Sequence, residues 1–214
     1  MQLFNKAAAK RIFTHTWYIY PLLAGIITII WLWAFPAFHQ PTKHETLTLF
    51  FATELKNEKY LNQIKKHYSE EKLREVETHY HLPDDSRAYY QALETYAANS
   101  DLLILDDLTV KDFVNSDHRD ELLYQITDEV KTNYITSEHD YYTYTDDQGS
   151  TYAYGVKLKD KGVDHYLSTY MTFDEMRDYY IVLSTSSVNV GALRSKSNAA
   201  YDNALTFMNY LLEL

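Results

Sequence analysis

Between Trp17 and Phe38 the chain reads WYIYPLLAGIITIIWLWAFPAF, 22 residues without a charged side chain. As a helix this run spans about 33 Å, enough to cross a hydrocarbon core of roughly 30 Å. Trp17, Tyr18 and Tyr20 stand at one end, and Trp31, Trp33, Phe35 and Phe38 towards the other. Aromatic rings favour the headgroup level, so both ends read as interface belts. Pro21 falls in the first turn, where a missing N–H costs little, and Pro36 is expected to mark the far end. Lys6, Lys10 and Arg11 precede the run, and only Lys43 closely follows it. The excess of positive charge predicts a cytoplasmic N-terminus and a domain on the outer side. A cleaved signal peptide has a shorter apolar stretch and ends at small residues. AFPAFHQ has no such site, so the run is read as a retained single-pass anchor in the cell membrane.

The expected organisation is a cytoplasmic segment over 1–16, a membrane helix over 17–38, a linker over 39–44 and an extracytoplasmic domain over 45–214. The first 42 residues hold three basic side chains and no acid, which leaves 17 basic against 30 acidic residues, a net of −13. Such a domain repels nucleic acid and anionic lipid. Cysteine is absent, which excludes disulfides, thiolate metal sites, a thiol nucleophile and a lipid-bearing Cys anchor. Its absence also favours a bacterial surface protein.

The outer part alternates strand and helix patterns. TLTLFFA (46–52) is short and nearly continuously apolar, which predicts a buried strand. Tyr60, Leu61, Ile64 and Tyr68 recur at helical spacing. Val76, Thr78, Tyr80 and Leu82 alternate with polar residues in a second strand. Asp84, Asp85 and Ser86 follow Pro83 as a helix start, and Tyr89, Ala92, Leu93, Tyr96 and Ala97 form the apolar face of that helix. Leu102 to Leu105 form a third, fully buried strand. Strands joined by helices of this length pair in parallel through crossovers. The expected fold class is therefore α/β: one transmembrane helix, then a single open lobe with a βαβαβ core. Phe113, Val114, Leu122, Leu123 and Ile126 suggest one or two short helices. Tyr141–Thr145 and Thr151–Leu158 flank Asp146-Asp147-Gln148-Gly149 and predict a β-hairpin. A further strand is expected over Tyr179–Ser184. Ser197 caps a final helix with Tyr201, Ala204, Leu205, Met208, Leu211 and Leu212 on one face.

This order of elements resembles the first lobe of bacterial extracellular solute-binding proteins, the receptors that serve ABC transporters. The resembling stretches are TLTLFFATELKNEKYLNQIKKHY and REVETHYHLPDDSRAYYQALETYAANSDLLILD, then GSTYAYGVKLKD and YYIVLSTSSVNVGAL. The resemblance implies a non-catalytic domain beside a membrane permease, handling a small polar solute such as a sugar or peptide. Family members have two lobes that close on a ligand; this length holds one. The competing expectation is a cell-envelope interaction module whose lobe binds protein instead.

Open α/β sheets bind ligands beyond the carboxyl ends of their parallel strands. Those ends carry Thr53 and Glu54, Asp84, Asp85 and Ser86, and Asp106 and Asp107. They form the candidate solute site; the plainer reading makes Asp84 and Asp85 caps and the others loop acids. The five acids lack calcium-loop spacing. Tyr142, Tyr144, Tyr152 and Tyr154 flank the hairpin turn and form a second candidate, able to stack on sugar rings or dock a partner, or else to pair across the hairpin. His79 and His81 share a strand face, but no H-E-x-x-H is present and no metal is expected. The chain lacks G-x-S-x-G, Walker A and dinucleotide motifs, and with 5 Gly it is poor in phosphate loops. No catalytic residues and no cofactor are expected. A hydrolase built on a carboxylate cluster ranks third.

Overall fold

The computed structural model describes residues 18–57, 73–83, 87–191 and 198–214. The helical pattern over 60–68, Asp84, Asp85, Ser86 and the Ser197 cap lie outside the described residues. Two units are distinct, 1–40 and 41–214.

In the first unit, helix α1 runs from Ile19 to His39 with Pro36 inside it. Pro36 therefore does not end the helix. Proline lacks an N–H and crowds the preceding turn, but that turn can tolerate it one turn from the terminus. The window Ile19–Pro36 is long and apolar enough to cross a membrane. Its flanking charges, Lys6, Lys10 and Arg11, lie outside the described residues.

In the second unit, β1 (Thr46–Phe51), β3 (Glu75–Tyr80) and β4 (Leu102–Asp106) pair in parallel, with β1 central. Helix α2 (Arg87–Ala97) connects β3 to β4, as the sequence pattern requires. Short β2 (Glu54–Leu55) leaves this sheet to pair with β8 (Met171–Thr172). Past β4 the sheet is antiparallel. β9 (Tyr179–Ser184) lies beside β4, β7 (Thr151–Lys159) beside β9, and β6 (Tyr141–Thr145) at the edge. The sheet order is thus β3-β1-β4-β9-β7-β6, with β5 (Leu123–Tyr124) adding to β9. The sheet is mixed, not wholly parallel. β9 is reached through the hairpin and a 3₁₀ turn, Tyr166–Thr169, rather than a crossover helix. Helices α3 (Asp107–Val114), α4 (Arg119–Leu122) and α5 (Asp128–Tyr134) fill the middle of the chain. Leu123 falls in β5 and Ile126 after it, so neither belongs to a helix. Helix α6 (Asn198–Glu213) closes the chain.

Alternation along the strands divides the core between two faces. Leu49, Leu102, Ile104, Ile181 and Leu183 pack on one face against Leu205, Phe207, Met208 and Leu211 of α6 and Val130 of α5. Phe50, Leu103, Leu105 and Val182 pack on the other against Tyr89 and Leu93 of α2 and Val110 and Val114 of α3. A sheet with both faces apolar must be covered twice, and that makes three layers. Truncating one such leucine to alanine costs about 2–5 kcal/mol.

At the amino end of the parallel strands the loop after β9 folds back over β4. Asp101 is 3% exposed. Its carboxylate accepts from Thr48 N–H at 2.8 Å, Ser187 Oγ at 2.5 Å and Asn189 Nδ2 at 3.1 Å. Asn189 Nδ2 also donates to the carbonyls of Lys43 and Thr46. The Asp101 network therefore ties β1, β4 and the segment after β9 together. Gly191 completes the fold-back. A Cβ there would lie 2.0 Å from the Thr185 carbonyl oxygen, so only glycine fits.

Candidate functional site

The carboxyl ends of β1 and β4 bring Thr53, Glu54, Asp106 and Asp107 to one end of the sheet, and most of their polar atoms are engaged locally. Thr53 is buried, and its Oγ1 donates to the Glu54 carbonyl at 3.2 Å. Glu54 is exposed in the small β2–β8 pair. Asp106 is the N-cap of α3: its Oδ1 accepts from Thr109 N–H at 2.7 Å. Short side-chain acceptors suit that position because the first-turn N–H groups have no helical partner. Arg177, in the loop between β8 and β9, places Nη1 3.8 Å from Asp106 Oδ2 and 3.6 Å from Asp107 Oδ1. Its Nε lies 3.7 Å from Asp174 Oδ2. One guanidinium thus offsets three carboxylates. Tyr89 and Tyr179 are buried on opposite faces of the sheet; their phenols are pushed up to about 12 chiefly by burial, and both also feel the Asp106 charge. Neither is poised to give up its proton near neutral pH.

Arg177 was not legible as a site residue, because a lone Arg in a loop carries no periodic signal. Asp84, Asp85 and Ser86 lie outside the described residues, and Thr53, Glu54, Asp106 and Asp107 are the members of the candidate set that the structure places. Among the described residues no cluster of three or more His, Asp or Glu could hold a metal ion. His79 stacks on Tyr96 at 4.2 Å between ring centroids, and His81 lies 5.9 Å from the Tyr89 ring. Both histidines face α2.

The hairpin forms as its turn chemistry requires. Asp146 Oδ1 accepts from Gln148 N–H at 2.9 Å and Ser150 N–H at 2.8 Å, and Gly149 takes a φ of +83°. The backbone hydrogen bond from Ser150, with help from Gln148, holds the Asp146 carboxyl below its ordinary value. Tyr144 and Tyr152 are directly opposed across the strands. Tyr154 is buried and Tyr142 meets Tyr180 edge-on at 5.3 Å. Arg119 of α4 lies over the Tyr144 ring at 3.8 Å and the Tyr154 ring at 5.5 Å. Its Nε donates to Tyr154 OH at 3.2 Å and its Nη1 to the Val114 carbonyl at 3.0 Å. Tyr154 OH in turn donates to Asp120 at 2.7 Å. All four tyrosines thus turn towards the second core face. Arg119 is the residue the pattern missed, since it opens a four-residue helix too short to show a period.

On the other side of β9 the end of β7 reaches the same edge. Lys159 is opposite Tyr179, and Tyr179 is opposite Asp106, so the three form one row across β7, β9 and β4. Lys157 Nζ lies 3.0 Å from Asp160 Oδ1, 3.5 Å from Asp140 Oδ2 and 3.6 Å from Asp178 Oδ2. Burial opposes its charge, yet the Asp160 bond and the surrounding carboxylates outweigh this and hold the ammonium above the ordinary lysine range.

Comparison with protein-family models, curated proteins and solved structures returned no match.

Proposed function

We propose that this protein is a membrane-tethered, extracytoplasmic, non-catalytic binding lobe of the solute-binding-protein kind, working beside an ABC transporter permease. One observation carries the reading. The parallel strands β3, β1 and β4, with helix α2 joining β3 to β4, continue into an antiparallel strand and hairpin, so that β4 and β7 both end at one edge of the sheet. That edge is where open α/β sheets take ligands, because loops and helix N-termini converge there without blocking the sheet. The apolar α1 supplies the tether.

The test is a melting-temperature screen of the full chain in detergent micelles against sugars, short peptides and metal ions. A ligand that binds only the folded state raises the melting temperature by mass action. A rise for some small solute is expected, and no rise across the panel sinks the solute reading. Orientation is checked separately. The chain has no cysteine, so single cysteines report position cleanly. A cysteine at Asp147 should react with an impermeant maleimide on intact cells, and one at Asn5 only after permeabilisation.

A second reading, an envelope module that binds protein in place of solute, is favoured by the engagement of Asp106 and Asp107 by Arg177. It has its own test. Photocrosslinkers at exposed Leu108 and Met176 should join the chain to an envelope protein, with no solute raising the melting temperature. Joining to no envelope protein at either position counts against it.

A further inference from the structure

The end of β7 borders a cavity of about 310 Å³ lined by Glu138, His139, Asp140, Lys157, Lys159 and Asp160, with Leu158 completing its wall. Its two lysines differ in kind. Lys157 is matched by three carboxylates, as described above. Lys159 is 5% exposed, and among the described residues its ammonium donates to the Asp160 carbonyl alone, at 3.0 Å. Among the described residues no carboxylate lies within ion-pairing distance of it. Asp160 and Asp140 lean on Lys157, and Asp178 divides between Lys157 and the Lys161 N–H at 2.7 Å.

A buried ammonium costs several kcal/mol to desolvate and is rarely left with a neutral acceptor alone. Its charge is felt nearby. His165 is held below its ordinary value first by burial and then by Lys159. The His165 Nδ1 already accepts from Leu167 N–H, so it offers Lys159 no acceptor there. Among the described residues Lys159 is thus a buried donor facing a neutral acceptor, and a carboxylate is the kind of group that would pair with it.

We propose that this cavity binds a small solute through its carboxylate, with Lys159 as the pairing group and the exposed Glu138 facing any amino group the solute carries. A volume near 310 Å³ is at the small end of ligand sites, which suits an amino acid or dipeptide rather than an oligosaccharide. The cavity lies on the sheet edge that the binding reading already uses, so the proposal rests on that reading and names its solute class.

The experiment uses the full chain in detergent micelles with two probes, dialanine and its C-terminal amide. The expected result is a melting-temperature rise with dialanine, little or none with the amide, and loss of the rise in Lys159→Met. Lys159→Met should also melt no lower than the wild type without probe, since it removes an unmatched buried charge. Lys159→Arg, which keeps the charge, should retain a response to the acid. Should Lys159→Met fail to fold, the acid–amide comparison on the wild type and on Lys159→Arg decides. Equal rises for acid and amide, a rise that survives in Lys159→Met, or no rise with dialanine overturns the proposal. A rise with sugars alone overturns it while leaving the binding reading standing; silence across every solute overturns both.

Discussion

Replacing Asp101 by asparagine tests whether the loop after β9 is held by both oxygens of the Asp101 carboxyl group. Ser187 Oγ accepts from Asn189 N–H at 3.0 Å and Val190 N–H at 2.9 Å, so its own hydrogen is directed at Asp101 Oδ1. Thr48 N–H and Asn189 Nδ2 both point at Oδ2. Three donors therefore converge on one side chain. An amide of the same shape has one acceptor oxygen. Placed on the side of Thr48 and Asn189, it turns its NH₂ towards the Ser187 hydroxyl hydrogen. One hydrogen bond is lost and one donor is left facing another, at a cost of about 2–3 kcal/mol. Asp101→Ala leaves all three donors unmatched and costs about 3–5 kcal/mol. For a domain of this size 1 kcal/mol moves the melting temperature by about 2–4 °C, so Asn lowers it by roughly 4–12 °C and Ala by more. The assay is thermal unfolding of the full chain in detergent micelles, followed by far-ultraviolet circular dichroism. A melting temperature for Asp101→Asn equal to or above that of wild type would falsify the assignment of the three donors.

Asp101 also predicts a pH dependence. Burial raises its pKa above the ordinary 3.8, against the pull of Ser187, Thr48 and Asn189. The folded state then binds this proton more tightly than the unfolded state does. Its contribution is full below the unfolded pKa and is lost as pH rises through the folded one. Asp101→Asn should remove that part of the stability–pH curve, seen as a smaller decline above pH 3.8 than in wild type.

Other substitutions probe the remaining contacts. Gly191→Ala forces a Cβ against the Thr185 carbonyl and should lower the melting temperature by more than Asp101→Asn does; a neutral result refutes the close approach. Arg119→Met removes the cation over Tyr144 and the donor to Tyr154, and about 1–3 kcal/mol of stability should go with them, read as faster amide exchange across β6 and β7. Because Asp146 is held below its ordinary value, its support of the hairpin turn is present above the unfolded pKa and lost as pH falls through the folded one. Protection of the Gln148 and Ser150 amides, measured against the intrinsic exchange rate at each pH, should fall in acid, and Asp146→Ala should abolish that change in protection.

The sequence alone carried the elements that depend on local pattern. The charge-free run over 17–38 announced an apolar helix, and the short, continuously apolar runs Leu102–Leu105 and Tyr179–Leu183 announced buried strands. Asp146 to Gly149 announced its turn through the side-chain and φ preferences of Asp and Gly. Pro36 was misjudged because a proline near a helix end either stops the helix or rides within it, and only the following turn decides. Pairing beyond neighbours was not legible. Unbroken apolar content says that β9 is buried but not that it inserts antiparallel between β4 and β7. The same limit governed the candidate site. Sequence could place Asp106 and Asp107 at a strand end, yet Arg177 reaches them from a loop some seventy residues away, and Ser187 reaches Asp101 across 86. Such contacts arise when the chain closes on itself, and the free energy of burying an ammonium beside Asp160 or a carboxylate beside Ser187 depends on which groups that closure brings near. Helices and strands were written in local preference; the matched and unmatched charges at the two ends of the sheet were decided by tertiary structure, because desolvation and pairing are properties of the folded surroundings.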